Sequence, residues 1–163
     1  MSLFSTQITC EFDENYAVLI EDDGRVAYAY LLAYGDVVGD VWLYNQMPAP
    51  TNSNWHEQAM PYLNPAEYID TKTTVSAIQD KSEIRCEWTE SNDGLIEVAV
   101  WIRDKFIAQM ESGSKPGWSV LVVKDGPLAQ VYWLSIHVIE FINHVIASFL
   151  IRRDFGGEMT RGV

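Results

Sequence analysis

Three strand-like segments follow one another in the first third of the chain, and this succession limits the fold more than any other feature of the sequence. The segments are 16–21, 26–34 and 37–45, and they are rich in β-branched and aromatic residues. Short turn-forming clusters, Asp22-Asp23-Gly24-Arg25 and Gly35-Asp36, separate them. Strand-like segments joined by such short turns predict an antiparallel meander.

Alternation of apolar and polar residues predicts further strands on both sides of the meander. Ile8, Cys10 and Phe12 alternate with polar residues before it. Strands are predicted after it at 68–78, 83–89, 95–103, 106–110 and 118–123. Asp93-Gly94 is a hairpin signal between two of these strands. Residues 128–133 fit either a strand or the first turns of a helix.

The spacing of apolar residues changes to three and four from Leu134 onward, which predicts an amphipathic helix over 134–153. Arg152 and Arg153 complement the dipole at its end. Together the patterns predict a β-rich α+β fold, with about eight mostly antiparallel strands, a meander and then hairpins, packed with one C-terminal amphipathic helix. A length of 163 residues predicts one globular domain, 1–163.

The connection 46–67 interrupts the strand pattern and is the segment in which we expect a ligand. It holds four of the six prolines, which fit neither a central strand nor a long helix. Long connections of this kind are often binding loops. Trp55, His56 and Tyr62 are the candidate ligand-binding residues, and His56 is the residue type that could act as a general base there.

Charge and cysteine content exclude several classes of protein. Twenty-three acidic residues against eleven basic ones give a net charge of −12, which disfavours binding to nucleic acid and to anionic membranes. The N-terminal residues lack a basic start and an apolar segment of signal-peptide length. Cys10 and Cys86 are expected to be free, buried thiols, as in a cytoplasmic protein.

Signatures of catalysis and of cofactor binding are missing from the sequence. It contains no GxSxG, GxGxxG, P-loop or CxxC motif. We therefore predict no cofactor and no catalytic residue. His137, Glu140 and His144 share one face of the predicted helix at spacings that could ligate a metal ion. They are weak candidates, because the polar face of any amphipathic helix carries such residues, and no metal site is predicted.

The aromatic residues leave a choice of interpretations open. Trp101 shares its predicted strand face with Glu97 and Arg103, which places it on the more solvated side. An exposed aromatic face would suit sugar stacking or a protein partner. Alternatively, a second layer of structure covers that face.

Three hypotheses about function follow. The first, which we favour, is a non-catalytic binding or interaction domain that self-associates through its aromatic-rich sheet or helix stripe. The second is an acidic inhibitor or immunity-type protein, whose charge would steer it to a basic enzyme. The third is an enzyme with an unrecognised site under the 46–67 connection.

Overall fold

The computed structural model describes residues 3–56 and 59–133 of the chain. The chain divides after Tyr132, and Met1–Tyr132 form one compact unit. Its strands are β1 Phe4–Thr9, β2 Tyr16–Asp22, β3 Val26–Ala33, β4 Asp36–Asn45, β5 Ile84–Glu90, β6 Ile96–Ile102, β7 Lys105–Glu111, β8 Trp118–Ser119 and β9 Gln130–Val131. A 3₁₀ turn, Lys81–Glu83, precedes β5.

The first sheet contains β1 to β4 in sequence order, with each strand antiparallel to the next. Tyr34 and Gly35 connect β3 to β4, and both have positive φ angles, 53° and 85°. Two residues with positive φ form the tight turn that matches the twist of a hairpin. The predicted meander is confirmed.

The second sheet contains β5 to β9, also in sequence order. Its strands are antiparallel except for β8 and β9, which run parallel. Gly94, with a φ of 76°, lies in the predicted turn between β5 and β6. The four residues of β6 that the alternation assigns to one apolar face are all at most 4 % exposed: Ile96, Val98, Val100 and Ile102.

Side chains from both sheets form a single hydrophobic core. Val18, Ile20 and Leu31 of the first sheet are fully buried, as are Val98 and Val100 of the second. The apolar face of each sheet is thus covered by the other, which is how an all-β unit closes its core.

The two sheets are joined where β4 meets the segment 113–117, a contact that we call the seam. The amide of Gly117 donates to the Asp40 carbonyl at 2.6 Å, and the Asp40 amide donates to the Ser114 carbonyl at 3.1 Å. A Cβ atom at Gly117 would lie 2.5 Å from the Gln109 carbonyl oxygen, and one at Gly39 would lie 3.1 Å from that of Glu111. A side chain at Gly117 would therefore force the backbone to shift, whereas one at Gly39 would need its neighbours to yield by only a few tenths of an ångström.

The expected α+β class is wrong for this protein. The described residues form two sheets and contain no α-helix. The physical reason is that the sheets bury each other's apolar faces, so this core needs no helical layer. The helix predicted over 134–153 lies outside the described residues.

The chain between β4 and Lys81 contains less regular structure than the sequence predicts. The strand predicted at 68–78 is not formed, and only an isolated bridge joins Ile69 to Val122. No strand or helix is assigned to the described residues between β4 and Lys81, a span that includes the 46–67 connection.

In the part of the chain that the structure describes, no helix is long and apolar enough to cross a membrane.

Asp22 forms a buried polar network that ties the first sheet to the chain after it. Its carboxylate is 1 % exposed and accepts from the Tyr44 hydroxyl at 2.7 Å, Gln46 Nε2 at 2.6 Å and the Gly24 amide at 2.8 Å. The Tyr44 hydroxyl in turn accepts the Ile78 amide at 3.0 Å. The two buried members, Asp22 and Tyr44, thus satisfy each other.

We expect Asp22→Ala to lower the free energy of unfolding by about 3 kcal/mol, because it leaves the buried Tyr44 hydroxyl without its acceptor and removes two further hydrogen bonds. Asp13→Ala is the matched control. Asp13 caps an exposed turn by accepting from the Asn15 amide at 3.0 Å, and its loss should cost under about 1 kcal/mol. Urea unfolding of both variants measures the difference. Equal losses would show that the network contributes no special stability.

We expect Gly117→Ala to lower the free energy of unfolding by about 3 kcal/mol, since the new methyl group meets backbone that cannot move aside. Gly113→Ala controls for the same segment, because a Cβ there has no neighbour within 4 Å. Because the φ of Gly113 is 95°, alanine is strained there, and we expect this strain to cost about 1 kcal/mol. Hydrogen exchange at the Gly117 amide should accelerate in the first variant alone. Unchanged exchange would contradict the importance of the seam.

Candidate functional site

The structure brings two of the three predicted ligand-binding residues together. The rings of Trp55 and Tyr62 meet edge to face with centroids 5.4 Å apart, and Tyr68 lies 6.5 Å from Trp55. His56 is exposed, and its backbone amide donates to Asn54 Oδ1 at 3.3 Å. Trp55 and Tyr62 are half-buried. They form a small aromatic cluster, with His56 on its solvent side.

Hydrogen bonds fix the end of the 46–67 connection to the first sheet. The Tyr28 hydroxyl donates to the Tyr62 carbonyl, and Arg25 donates to the Pro61 carbonyl at 3.1 Å. Asn45 holds both the amide and the carbonyl of Asn64, at 2.9 and 2.8 Å. Burial raises the pKa of Tyr28, so this hydroxyl keeps its proton and remains a donor. These contacts favour a packing role for Tyr62.

A charged pair borders the same cluster. Glu67 accepts from Ser53 Oγ at 2.6 Å and from Lys124 Nζ at 3.0 Å, and these bonds lower the pKa of its carboxyl. The Lys124 ammonium also lies 4.9 Å from the centre of the Tyr68 ring. The charges and hydrogen-bond donors of Glu67, Ser53 and Lys124 are thus already paired with one another. This arrangement leaves little polar capacity for a ligand.

A second group of aromatic and charged residues lies on the outer side of the second sheet, opposite the core. We call it the aromatic–carboxylate face and define it by six residues: Arg85, Glu97, Trp101, Phe106, Glu111 and Tyr132. The register of β5, β6 and β7 places them in rows across the strands, with Arg85 opposite Trp101, Trp101 opposite Phe106, and Glu97 opposite Glu111.

The aromatic rings of this face form a continuous chain of contacts. Trp101 and Phe106 meet edge to face at 5.6 Å, and Phe106 and Tyr132 meet at 4.8 Å. The Arg85 guanidinium lies 4.5 Å from the centre of the Trp101 ring, and its other contact is an ion pair with Glu87. The indole N–H of Trp101 is buried without a hydrogen-bond partner.

Glu97 and Glu111 place two carboxyl groups in direct contact on this face. Both are half-buried, and they occupy opposite positions on neighbouring strands. Burial raises the pKa of Glu111, and the charge of Glu97 and the hydrogen bond between the two carboxyls raise it further. Burial and the Glu97 charge also raise the pKa of Tyr132. Like charges directly opposite each other destabilise a sheet, so this pair is not explained by stability.

Sequence alternation identified two of the six residues of this face. It placed Glu97 and Trp101 on the solvated side of β6, as the structure does. The other four were not singled out, because their proximity depends on strand register. A bulge between Val100 and Trp101 shifts that register by one residue, and no local pattern announces it.

The two cysteines and the weak metal candidates have separate outcomes. Cys10 and Cys86 are free thiols, as expected. Burial raises the pKa of Cys86 to about 12, so it is not a thiolate at neutral pH. The weak metal candidates His137, Glu140 and His144 lie outside the described residues. Within the described ranges, no group of three or more His, Cys, Asp or Glu residues could hold a metal ion.

Carboxylates beside aromatic rings can bind a cation, or can bind a sugar by stacking and hydrogen bonds. An open depression of about 370 Å³ adjoins Glu111 and is bordered also by Lys115, Trp118 and Gln130.

No family model, curated protein or solved structure matches the chain. The choice among ligands therefore depends on the chemistry of the face itself.

Glu111→Gln should make the protein more stable at neutral pH and not at acidic pH. The Glu111 pKa in the folded state lies above its ordinary value of 4.5. Protonation of Glu111 therefore stabilises the fold at low pH, and this stabilisation is lost as the pH rises through the raised pKa. We expect a gain of about 0.5 kcal/mol at about pH 7, the scale of one cross-strand pair, and none at about pH 4.

Urea unfolding at the two pH values tests this prediction, with Glu87→Gln as the control. Glu87 is in contact with Arg85 on the same face, so its neutralisation should give no gain at either pH. An equal gain from Glu111→Gln at both pH values would contradict the repulsion between Glu97 and Glu111.

Proposed function

We propose that this protein is a non-catalytic binding domain, and that its aromatic–carboxylate face takes a basic segment of a protein partner. The observation that carries the proposal is the opposed pair Glu97 and Glu111, flanked by the ring chain from Trp101 to Tyr132. A Lys or Arg side chain placed between the two carboxylates would neutralise their repulsion. The cost of the pair in the free protein would then be recovered on binding.

Arg85 supports the choice of a cation over a sugar. It already stacks on Trp101 at 4.5 Å, which shows that this ring accepts a guanidinium group. The same contact covers one side of the indole. A sugar ring needs an open flat surface to stack on, and Arg85 removes it. A basic side chain needs the carboxylates of Glu97 and Glu111, and neither forms an ion pair within the described residues.

The net charge of −12 adds long-range attraction for such a partner. An acidic inhibitor that binds a basic enzyme, one of the alternatives from the sequence, is one form of this function. Self-association through the same face is disfavoured by its like charges. An enzyme site under the 46–67 connection gains no support, because His56 is exposed and Tyr62 is held by packing contacts.

Titration of a labelled Gly-Arg repeat peptide tests the proposal. We expect the double variant Glu97→Gln/Glu111→Gln to bind about tenfold more weakly, which corresponds to the loss of one charge-assisted contact. The matched control is Glu11→Gln/Glu14→Gln, which removes the same charge from exposed positions before β2. Its affinity should change little at physiological salt, since exposed charges are screened there. Equal losses in both variants would show attraction by net charge alone and would overturn the face as the site.

Light scattering after size exclusion, at low and high salt, separates partner binding from self-association. We expect a monomer under both conditions. A dimer that survives high salt would favour an apolar interface between two copies instead. A Gly-Glu repeat peptide serves as the negative control in the titrations, and binding of that peptide would contradict the requirement for a cation.

A further inference from the structure

A cavity of about 440 Å³ lies at the turn end of the β6–β7 hairpin, separate from the carboxylates of the proposed binding face. Three segments enclose it: residues 73–76, the hairpin residues 102–107, and residues 120–121. Its apolar walls come from Val75, Ile102, Phe106, Ile107, Val120 and Leu121. Such a volume is within the range of small-molecule sites.

The hairpin turn beside the cavity has an unusual conformation for its sequence. Arg103 and Asp104 have φ angles of 48° and 62°. Two-residue turns of this kind prefer Asn-Gly or Asp-Gly, because each left-handed residue with a side chain is strained by about 1–2 kcal/mol. The β3–β4 turn uses Gly35 at its second position, whereas here neither residue is glycine. Strain of this kind is typical of functional positions.

The strained turn places two cations at the cavity. Arg103 is locked by bonds to Glu83 Oε1 at 2.9 Å and to the carbonyls of Ser76 and Ala77 at 3.0 and 2.8 Å. These bonds use three of its five N–H donors. Lys105 is exposed and forms no ion pair within the described part of the chain. Asp104, between them in sequence, is also exposed but does not line the cavity.

The rest of the lining is apolar or neutral. Thr73, Thr74 and Ser76 contribute hydroxyl groups beside the cations, and no carboxylate lines the cavity. Glu83 balances the charge of Arg103, so Lys105 is the lining cation that has no ion pair within the described residues. We infer that the cavity binds a small amphipathic carboxylate, with its alkyl chain against the half-buried Val75 and the exposed Val120. Its head group would lie at Lys105 and the remaining donors of Arg103.

The probe for this site is octanoate, followed by calorimetry and by NMR shifts of the backbone amides. We expect saturable binding, with shifts concentrated at residues 102–107 and 120–121. Octylamine and octanol carry the same chain with a cationic or a neutral head. Both should bind at least about tenfold more weakly than octanoate, as expected for loss of a charge-assisted bond.

Two variants test the site without disturbing the locked arginine. Lys105→Gln should weaken octanoate binding about tenfold. Val120→Trp should abolish it by filling the cavity from a position that is 40 % exposed. Lys115→Gln is the control for charge, because Lys115 lies outside this cavity, and it should leave the affinity unchanged.

Three outcomes would overturn the inference. They are shifts spread over the whole sheet, equal binding of octanoate and octylamine, and equal effects of Lys105→Gln and Lys115→Gln. Because none of these variants alters Glu97 or Glu111, failure here would leave the peptide titrations unaffected. The two sites are therefore tested independently.

Discussion

The close approach of backbone at the seam is the constraint on which the rest of the structure depends. Gly39 and Gly117 let β4 and the segment 113–117 come near enough for hydrogen bonds as short as 2.6 Å. These bonds connect a sheet made from the first part of the chain to a sheet made from the second. The shared core can be dry because this connection fixes the two apolar faces against each other. A side chain at Gly117 would force apart the backbone of this segment and that of β7.

The departures from ideal structure are concentrated on β6 and β7. Glu97 and Glu111 oppose like charges across these strands, and Arg103 and Asp104 form a left-handed turn between them. Stability alone would select opposite charges in the first case and glycine in the second. The first sheet, in contrast, satisfies its buried carboxylate Asp22 with three donors. The proposed binding face and the buried Asp22 network therefore lie in different sheets of the same unit.

Local patterns predicted the elements whose partners are close in sequence. The meander of β2 to β4 and the buried face of β6 followed from alternation and turn residues, and Trp55 and Tyr62 are only seven positions apart within one connection. The sheet-to-sheet core was not predicted, because covering of one apolar face by another is a non-local event. The same applies to the Glu97–Glu111 contact, whose register depends on a bulge. The strand predicted at 68–78 is not formed, because a segment becomes a strand only where a neighbouring strand offers it hydrogen bonds.

The strand order of the first sheet has a consequence for how the chain folds. Each strand from β1 to β4 pairs with its immediate successor, so every loop that must close is short and its entropic cost is low. The seam, in contrast, joins Asp40 to Gly117, which are far apart along the chain. Contacts of large sequence separation form slowly. We therefore expect the meander to form early in folding and the seam to close later.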